Sequence, residues 1–303
     1  LIFEVPISPS TGYSHRVSNV GEIQNKGFEM MIGGTPVQRG RFTWESTLNF
    51  STNKNELNEL IAGTETYEFG VTNSGNIIVQ ATVGGGFGDI YGTTYKRSPN
   101  GEIIVDEIGR PVASSEKVHL GNYQPDWVGG LTNEITYGDF SLNFLIDARI
   151  GGEVYSGTDA SLDASGVSTR TLKYREEGVV VDGVKEVDDG DGNITYEENT
   201  SEITAQQYWG SVSGIGSEYV YDQTNIRLRE ASLVWNIPNR LLGDSFIKSA
   251  SVGVVGRNLF FIYKEMDNFD PEWSYSTSTF SQGMLFNPLP SSRSLGFNIN
   301  VKF

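Results

Sequence analysis

The stretch Ser294-Leu295-Gly296-Phe297-Asn298-Ile299-Asn300-Val301-Lys302-Phe303 decides the fold. Leu295, Phe297, Ile299, Val301 and Phe303 take every second position, and Ser294, Gly296, Asn298, Asn300 and Lys302 fill the places between them. A period of two sends successive side chains to opposite sides of an extended chain, so the segment reads as a strand with one apolar and one polar face. Aromatic and β-branched residues at the apolar positions suit a pleated surface.

The same alternation recurs upstream. Within 41–53, Phe42, Trp44, Leu48 and Phe50 oppose Thr43, Glu45, Thr47, Asn49 and Ser51. Before them Phe28, Met30 and Ile32 oppose Asn25 and Glu29, and Thr35-Pro36 to Gly40 reads as the turn of a first hairpin. Trp127, Leu131, Ile135 and Tyr137 form a strand that turns at Gly138-Asp139 into Phe140, Leu142, Phe144, Ile146 and Ile150. Ala231, Leu233, Trp235 and Ile237 mark a run over 223–237 that Pro238 stops, and 249–263 is a weaker run whose parity slips around Gly256–Asn258. With the closing segment, seven long strands are expected.

The connections alternate in length. Short turns are expected at 35–40, 138–139 and 238–248, and long connections, two of them of roughly 70 residues, at 55–126, 151–221 and 264–291, which compact soluble domains seldom tolerate. Outer-membrane barrels place short turns in the periplasm and long loops outside the cell. Counting back from Phe303 makes every short turn periplasmic and every long loop external. Pro99-Asn100-Gly101 and Gly190-Asp191-Gly192 predict local hairpins inside the long loops.

Composition excludes several functions. The 303 residues carry 38 acidic and 22 basic side chains, a formal net charge of -16, which argues against a nucleic-acid partner because phosphate binding needs clustered cations. No cysteine is present, so disulfides, thiolate metal sites and cysteine nucleophiles are ruled out. No run of about 18 apolar residues predicts a spanning helix. The chain opens at Leu1 without a basic or apolar leader, so a signal peptide is expected upstream. His15 and His119 sit near no serine nucleophile in sequence, no phosphate-binding loop precedes a helix, and Gly84-Gly85-Gly86 reads as a loop, so no catalytic site or cofactor is expected.

A soluble sandwich also alternates. Three features favour lipid instead: strands of about 11 residues, the length a tilted spanning strand needs; charges such as Glu45, Asp147 and Arg149 on the polar face; and aromatics at strand ends. Trp127, Tyr137 and Phe303 suit interfacial girdles. The expected fold class is all-β, the C-terminal strands of a transmembrane antiparallel barrel with long extracellular loops. A passive porin-like barrel and a soluble β-rich carbohydrate-binding module are the alternatives.

Several blocks resemble the SusC/RagA-type TonB-dependent transporters. They are Asn19-Val20-Gly21-Glu22-Ile23 with Asn25-Lys26-Gly27-Phe28-Glu29; Phe42-x-Trp44 with Asn49, Asn53-Lys54-Asn55 and Leu60; and Gly121-Asn122-Tyr123-Gln124-Pro125-Asp126. Gly151-Gly152, Ile226-Arg227-Leu228-Arg229-Glu230-Ala231-Ser232-Leu233, Gly256-Arg257-Asn258-Leu259-Phe260 and Phe269-Asp270-Pro271-Glu272 complete the set. The resemblance implies that residues 1–303 are the C-terminal part of a barrel of about 22 strands, with a plug domain and earlier strands upstream. It further implies a place in the outer membrane and active import of an oligosaccharide or peptide. The partners it implies are a SusD-like surface lipoprotein and the TonB complex.

Ser294, Gly296, Ile299, Val301 and Phe303 have the form of the signal read by the barrel-assembly machinery. Asp189, Asp191, Asn193 and Glu197 could offer oxygens to calcium, but Ile194 and Thr200 stand where a helix–loop–helix calcium site needs Gly and Glu, and the surrounding acidic run reads as a solvated loop. Glu29, Glu45, Glu134, Asn143, Asp147 and Arg149 are expected to face the lumen. Tyr219, Tyr221, Trp273 and Tyr275 are expected as outward loop aromatics, for a lipoprotein lid or for sugar rings.

Overall fold

The structure is a computed structural model that describes residues 2–19, 21–61, 63–243 and 245–303; Val20 of the first family-like block lies outside the described residues. Seven long strands form one antiparallel meander: β1 (Gly21–Arg39), β2 (Phe42–Leu60), β3 (Trp127–Tyr137), β4 (Phe140–Ile150), β5 (Asn225–Ile237), β6 (Ser249–Lys264) and β7 (Ser294–Lys302). Each pairs with its neighbour in sequence, from β1 at one edge to β7 at the other. They are the seven strands expected from the alternation.

Register carries the alternation across the sheet. Phe50, Leu48 and Trp44 stand opposite Gly129, Leu131 and Ile135 of β3, and Leu131 and Ile135 stand opposite Ile146 and Leu142 of β4. The face continues through Leu233 and Trp235 to Val254 and Val252, and ends on Phe297 and Ile299. No second layer covers this face among the described residues, and Leu295 and Phe297 are each 78% exposed. A soluble sandwich would bury these residues under a facing sheet. The aromatics gather near the strand ends. Phe28, Phe50 and Trp127 form a row toward the long-loop end, and Phe140 stacks on Trp235 and Phe246 on Phe303 toward the short-turn end.

The first turn differs from expectation. Thr35 and Pro36 lie inside β1, where the register slips between Gly34 and Val37, and the turn itself is Gly40–Arg41 with Gly40 at φ +59°. Proline is tolerated because the bulge leaves it without a ladder partner. β1 and β2 also run for 19 residues each, about 60 Å of strand, which overshoots a tilted crossing of an apolar band about 25 Å tall. The parity slip foreseen near Gly256–Asn258 is a bulge: Arg229 has no opposite residue, and Asn258 takes φ +51°.

The long connections are not loose loops carrying isolated hairpins. Both expected hairpins form, at Ser98–Glu102 and between Val184–Asp188 and Ile194–Glu198. Beyond them, residues 66–122 fold into a four-stranded sheet, while 153–222 supplies two helices, α1 (Gly157–Ala164) and α2 (Ala205–Val212). Ile77, Val79, Ile90, Trp209, Val212, Tyr219 and Met284 form a common core drawn from all three connections. The connections therefore make one cap. Asp163, buried beneath it, accepts from Tyr219 Oη at 2.9 Å and pairs with Arg170 Nε at 3.1 Å, while the Arg170 guanidinium lies over Trp209. Helix ends are satisfied locally, by Ser156 on Asp159 N and by a Thr204–Gln207 capping box.

Candidate functional site at the junction of wall and cap

Opposite the apolar face, Glu29, Glu45, Glu134, Asn143, Asp147 and Arg149 lie on one polar face, as alternation requires. Glu45 stands directly across from Glu134. Asp147 and Arg149 differ from the rest because they reach the base of the cap, where a network of opposite charges closes.

Two strand-spaced pairs make that network. Arg227 of β5 donates from Nη2 to Asp270 at 2.5 Å and from Nη1 to Glu272 at 2.9 Å. Arg229 donates from Nε to Asp147 at 3.0 Å and from Nη1 to Glu272 at 2.9 Å, with a further short bond from Nη2 to Glu272. The unpaired position of Arg229 in the bulge turns it toward the same face as Arg227 and Glu230, and Glu230 in turn pairs with Arg257 at 2.8 Å. Arg227 is 4% exposed, and its guanidinium lies 3.9 Å from the Phe261 ring centroid. Gln223 donates to the Pro271 carbonyl at 2.7 Å, so the third connection is latched to the wall at three successive residues. A planar guanidinium suits this because its fixed fork meets two acceptors at once.

Arg149 extends the network to the first connection. Its Nη2 donates to the Tyr123 carbonyl at 2.7 Å and to Gln223 Oε1 at 2.8 Å. Gly151 and Gly152, at φ +75° and +89°, turn the chain there; a Cβ on Gly152 would sit 2.9 Å from Arg149 Nη2 and 3.0 Å from the Tyr123 carbonyl. Glu153 accepts from Asn122 N at 2.7 Å, and burial raises its carboxyl above the ordinary range. Burial likewise pushes the Tyr123 phenol up to about 12. Arg149 Nε, Arg227 Nε and Asn225 Oδ1 are buried here without a hydrogen-bond partner among the described residues.

A hollow of about 480 Å³ borders the latch, lined by Ser51, Asn53, Gln124, Arg149, Glu272 and Trp273 among others. Its lining mixes these polar groups with the rings of Phe87, Tyr123 and Trp127, and Arg149 and Glu272 are already engaged. His15 bonds Ser14, and His119 lies 3.4 Å from Asp89. Gly85 and Gly86 are tight because the Asp89 carboxylate lies against them, while Gly84 takes φ +78°.

Other expected residues fall elsewhere. Tyr219 is fully buried in the cap core and Tyr221 is half-buried against it, so neither is the outward aromatic expected, because the connections enclose them. Trp273 borders the hollow, and Tyr275 is exposed. The Asp189 oxygens accept from Asp191 N, Asn193 N and Asn193 Nδ2, while Glu197 sits a strand away opposite Lys185. Among the described residues no group of three or more acidic or histidine side chains is placed to hold a metal. Ser294, Gly296, Ile299, Val301 and Phe303 lie along β7 and at its end.

The blocks Gly121–Asp126, Gly151-Gly152, Ile226–Leu233, Gly256–Phe260 and Phe269–Glu272 are far apart in sequence and meet at this junction. No family model matches the chain. TonB-dependent receptors P3 and P26 of Formosa agariphila are 26% and 29% identical over 331 and 328 residues, covering 100% of this chain and 31% of each relative. TonB-dependent receptor SusC of Bacteroides thetaiotaomicron is 23% identical, covering 100% of this chain and 29% of its own length. In fold, the RagAB peptide importer in its closed-closed state superposes with a TM-score of 0.70 at 19% identity, over 100% of this chain and 32% of that one. In sequence and in fold the chain resembles the C-terminal barrel portion of SusC/RagA-type TonB-dependent receptors.

It spans about a third of the length of the curated relatives it matches. The apolar face of the meander is accordingly the lipid face of an outer-membrane barrel and the polar face its lumen wall. The relatives are receptors and transporters, not enzymes.

Proposed function

We propose that the chain supplies lumen wall, latch and outer cap to an importer that carries a nutrient, an oligosaccharide or peptide, across the outer membrane. The observation that carries the reading is the latch itself. Arg227 and Arg229 on the wall and Asp270 and Glu272 on the third connection hold a folded cap at the end of the polar wall. A folded cap held to the wall by paired charges suits an importer that must admit and then enclose a large solute. Residues 1–303 would be the C-terminal part of the receptor, with a plug acted on by the TonB complex and a SusD-like lipoprotein over the cap. Ser294, Gly296, Ile299, Val301 and Phe303 would be read by the assembly machinery, and removing Phe303 is expected to lower receptor levels in outer-membrane fractions.

Uptake of labelled oligosaccharides and peptides by cells lacking either the receptor or TonB tests the function. Uptake of one solute class lost in both strains is expected. Uptake that needs the receptor but survives loss of TonB would assign it to passive diffusion.

A further inference from the structure

We propose that the cap carries a binding cleft for a neutral saccharide, walled by Tyr155, Tyr275, Phe280 and Phe286. The cleft, about 620 Å³, lies between the turn around Asn73, α1 and the end of the third connection. No charged side chain lines it, in a chain whose formal net charge is -16. A charged solute would therefore lose hydration there without gaining a counter-ion, as would the termini of a short peptide.

The aromatic wall is built. Phe286 stands edge-on to Tyr155, at 6.2 Å and 67°, and to Tyr275, at 5.7 Å and 80°. It presses on the first turn of α1, where a Cβ on Gly157 would come within 1.9 Å of its ring. Tyr155 is held from behind by Asn76, whose Nδ2 donates to the phenol oxygen at 3.2 Å. Around these rings the side-chain amides of Asn73 and Asn287 and the Tyr275 hydroxyl make no hydrogen bond among the described residues, though all three line the cleft. Apolar rings beside uncommitted donors and acceptors match a ligand with apolar C–H faces and a rim of hydroxyls. A pyranose has both. The inference rests on the import reading for its purpose, since a site in the cap would hold solute at the entrance.

Calorimetry on the full-length receptor in detergent tests it, with maltohexaose, xylohexaose, laminarihexaose and a mixed hexapeptide pool as probes. Binding of at least one neutral hexasaccharide is expected. Tyr275→Ala should weaken it about tenfold, the factor expected for a lost aromatic contact, and Asn73→Ala should weaken it less. Circular dichroism and trypsin resistance matching the parent receptor would show that both variants are folded. Binding of the peptide pool alone, binding unchanged in both variants, or no binding of any saccharide would each overturn the proposal. Receptor-dependent, TonB-dependent uptake that Tyr275→Ala leaves unchanged would overturn this cleft while leaving import standing.

Discussion

Arg227 and Arg229 show how much a single side chain decides here. Each holds two carboxylates, and Arg227 does so while almost fully buried, so truncating it would take from Asp270 its cationic partner in a desolvated place, while Glu272 would keep Arg229. Breaking a buried pair from one side costs roughly 3–5 kcal/mol. Arg227→Ala should therefore free the third connection, read as new protease cleavage between residues 265 and 293, and Arg227→Lys should rescue it poorly because an ammonium lacks the fork. Glu153 gives a pH-dependent counterpart. Burial raises its folded-state carboxyl, so the folded cap holds a proton that the unfolded chain releases. Stability then falls as pH rises from the ordinary carboxylate range through the raised value, and the loss is complete above it. Glu153→Gln keeps an acceptor for Asn122 N–H but removes the charge. Its cap amides should exchange more slowly than wild type at pH 7, with the difference vanishing below about pH 4. The sequence placed Asp147 and Arg149 on the polar face correctly, because parity alone sets that. It did not reveal their partners, although Arg227-x-Arg229 and Asp270-x-Glu272 share a spacing of two with opposite sign. That complementarity was the available signal, and only the fold of the third connection brings the two pairs together.

At the scale of elements, strands were legible and connections were not. A strand in lipid shows its period because one face meets hydrocarbon and the other water. β7 is the clearest case, and even the bulge near Asn258 appeared as a slipped parity. The cap breaks that rule: its strands and helices bury residues on several sides, so Ile77, Val79 and Ile90 join Trp209 and Tyr219 without a long-range pattern in sequence. Tyr219 therefore lies in the cap core rather than outward. Pro36 lies at a bulge rather than in the expected turn, because the register slip that tolerates it is a property of the paired strands and not of the local sequence. The Gly151-Gly152 corner makes the element-level account testable. Gly152→Ala would force a side chain into φ +89° and against Arg149, at about 1–2 kcal/mol for the backbone alone. Faster hydrogen exchange in 121–126 and 223–225 is expected, with the meander's own amides unchanged. Loss of protection throughout β3 and β4 would instead make the corner part of the wall's stability.

For the whole molecule, two solvents organise one chain. Seven strands offer an uncovered apolar face, and the connections, folded on each other, carry nearly all of the conventional core. The chain spans about a third of the length of the relatives it matches. What these residues contribute is a wall with an assigned outside and inside. The chain contains no cysteine, which suits spin labels attached at single introduced cysteines along β4 in the reconstituted receptor. Collision with oxygen, which concentrates in lipid, should be high at positions 140, 142, 144 and 146, and collision with a water-soluble nickel complex should be higher at 141, 143 and 145. Oxygen accessibility that fails to alternate along β4, or nickel accessibility dominant at Phe140, Leu142 and Phe144, would contradict a lipid-facing wall.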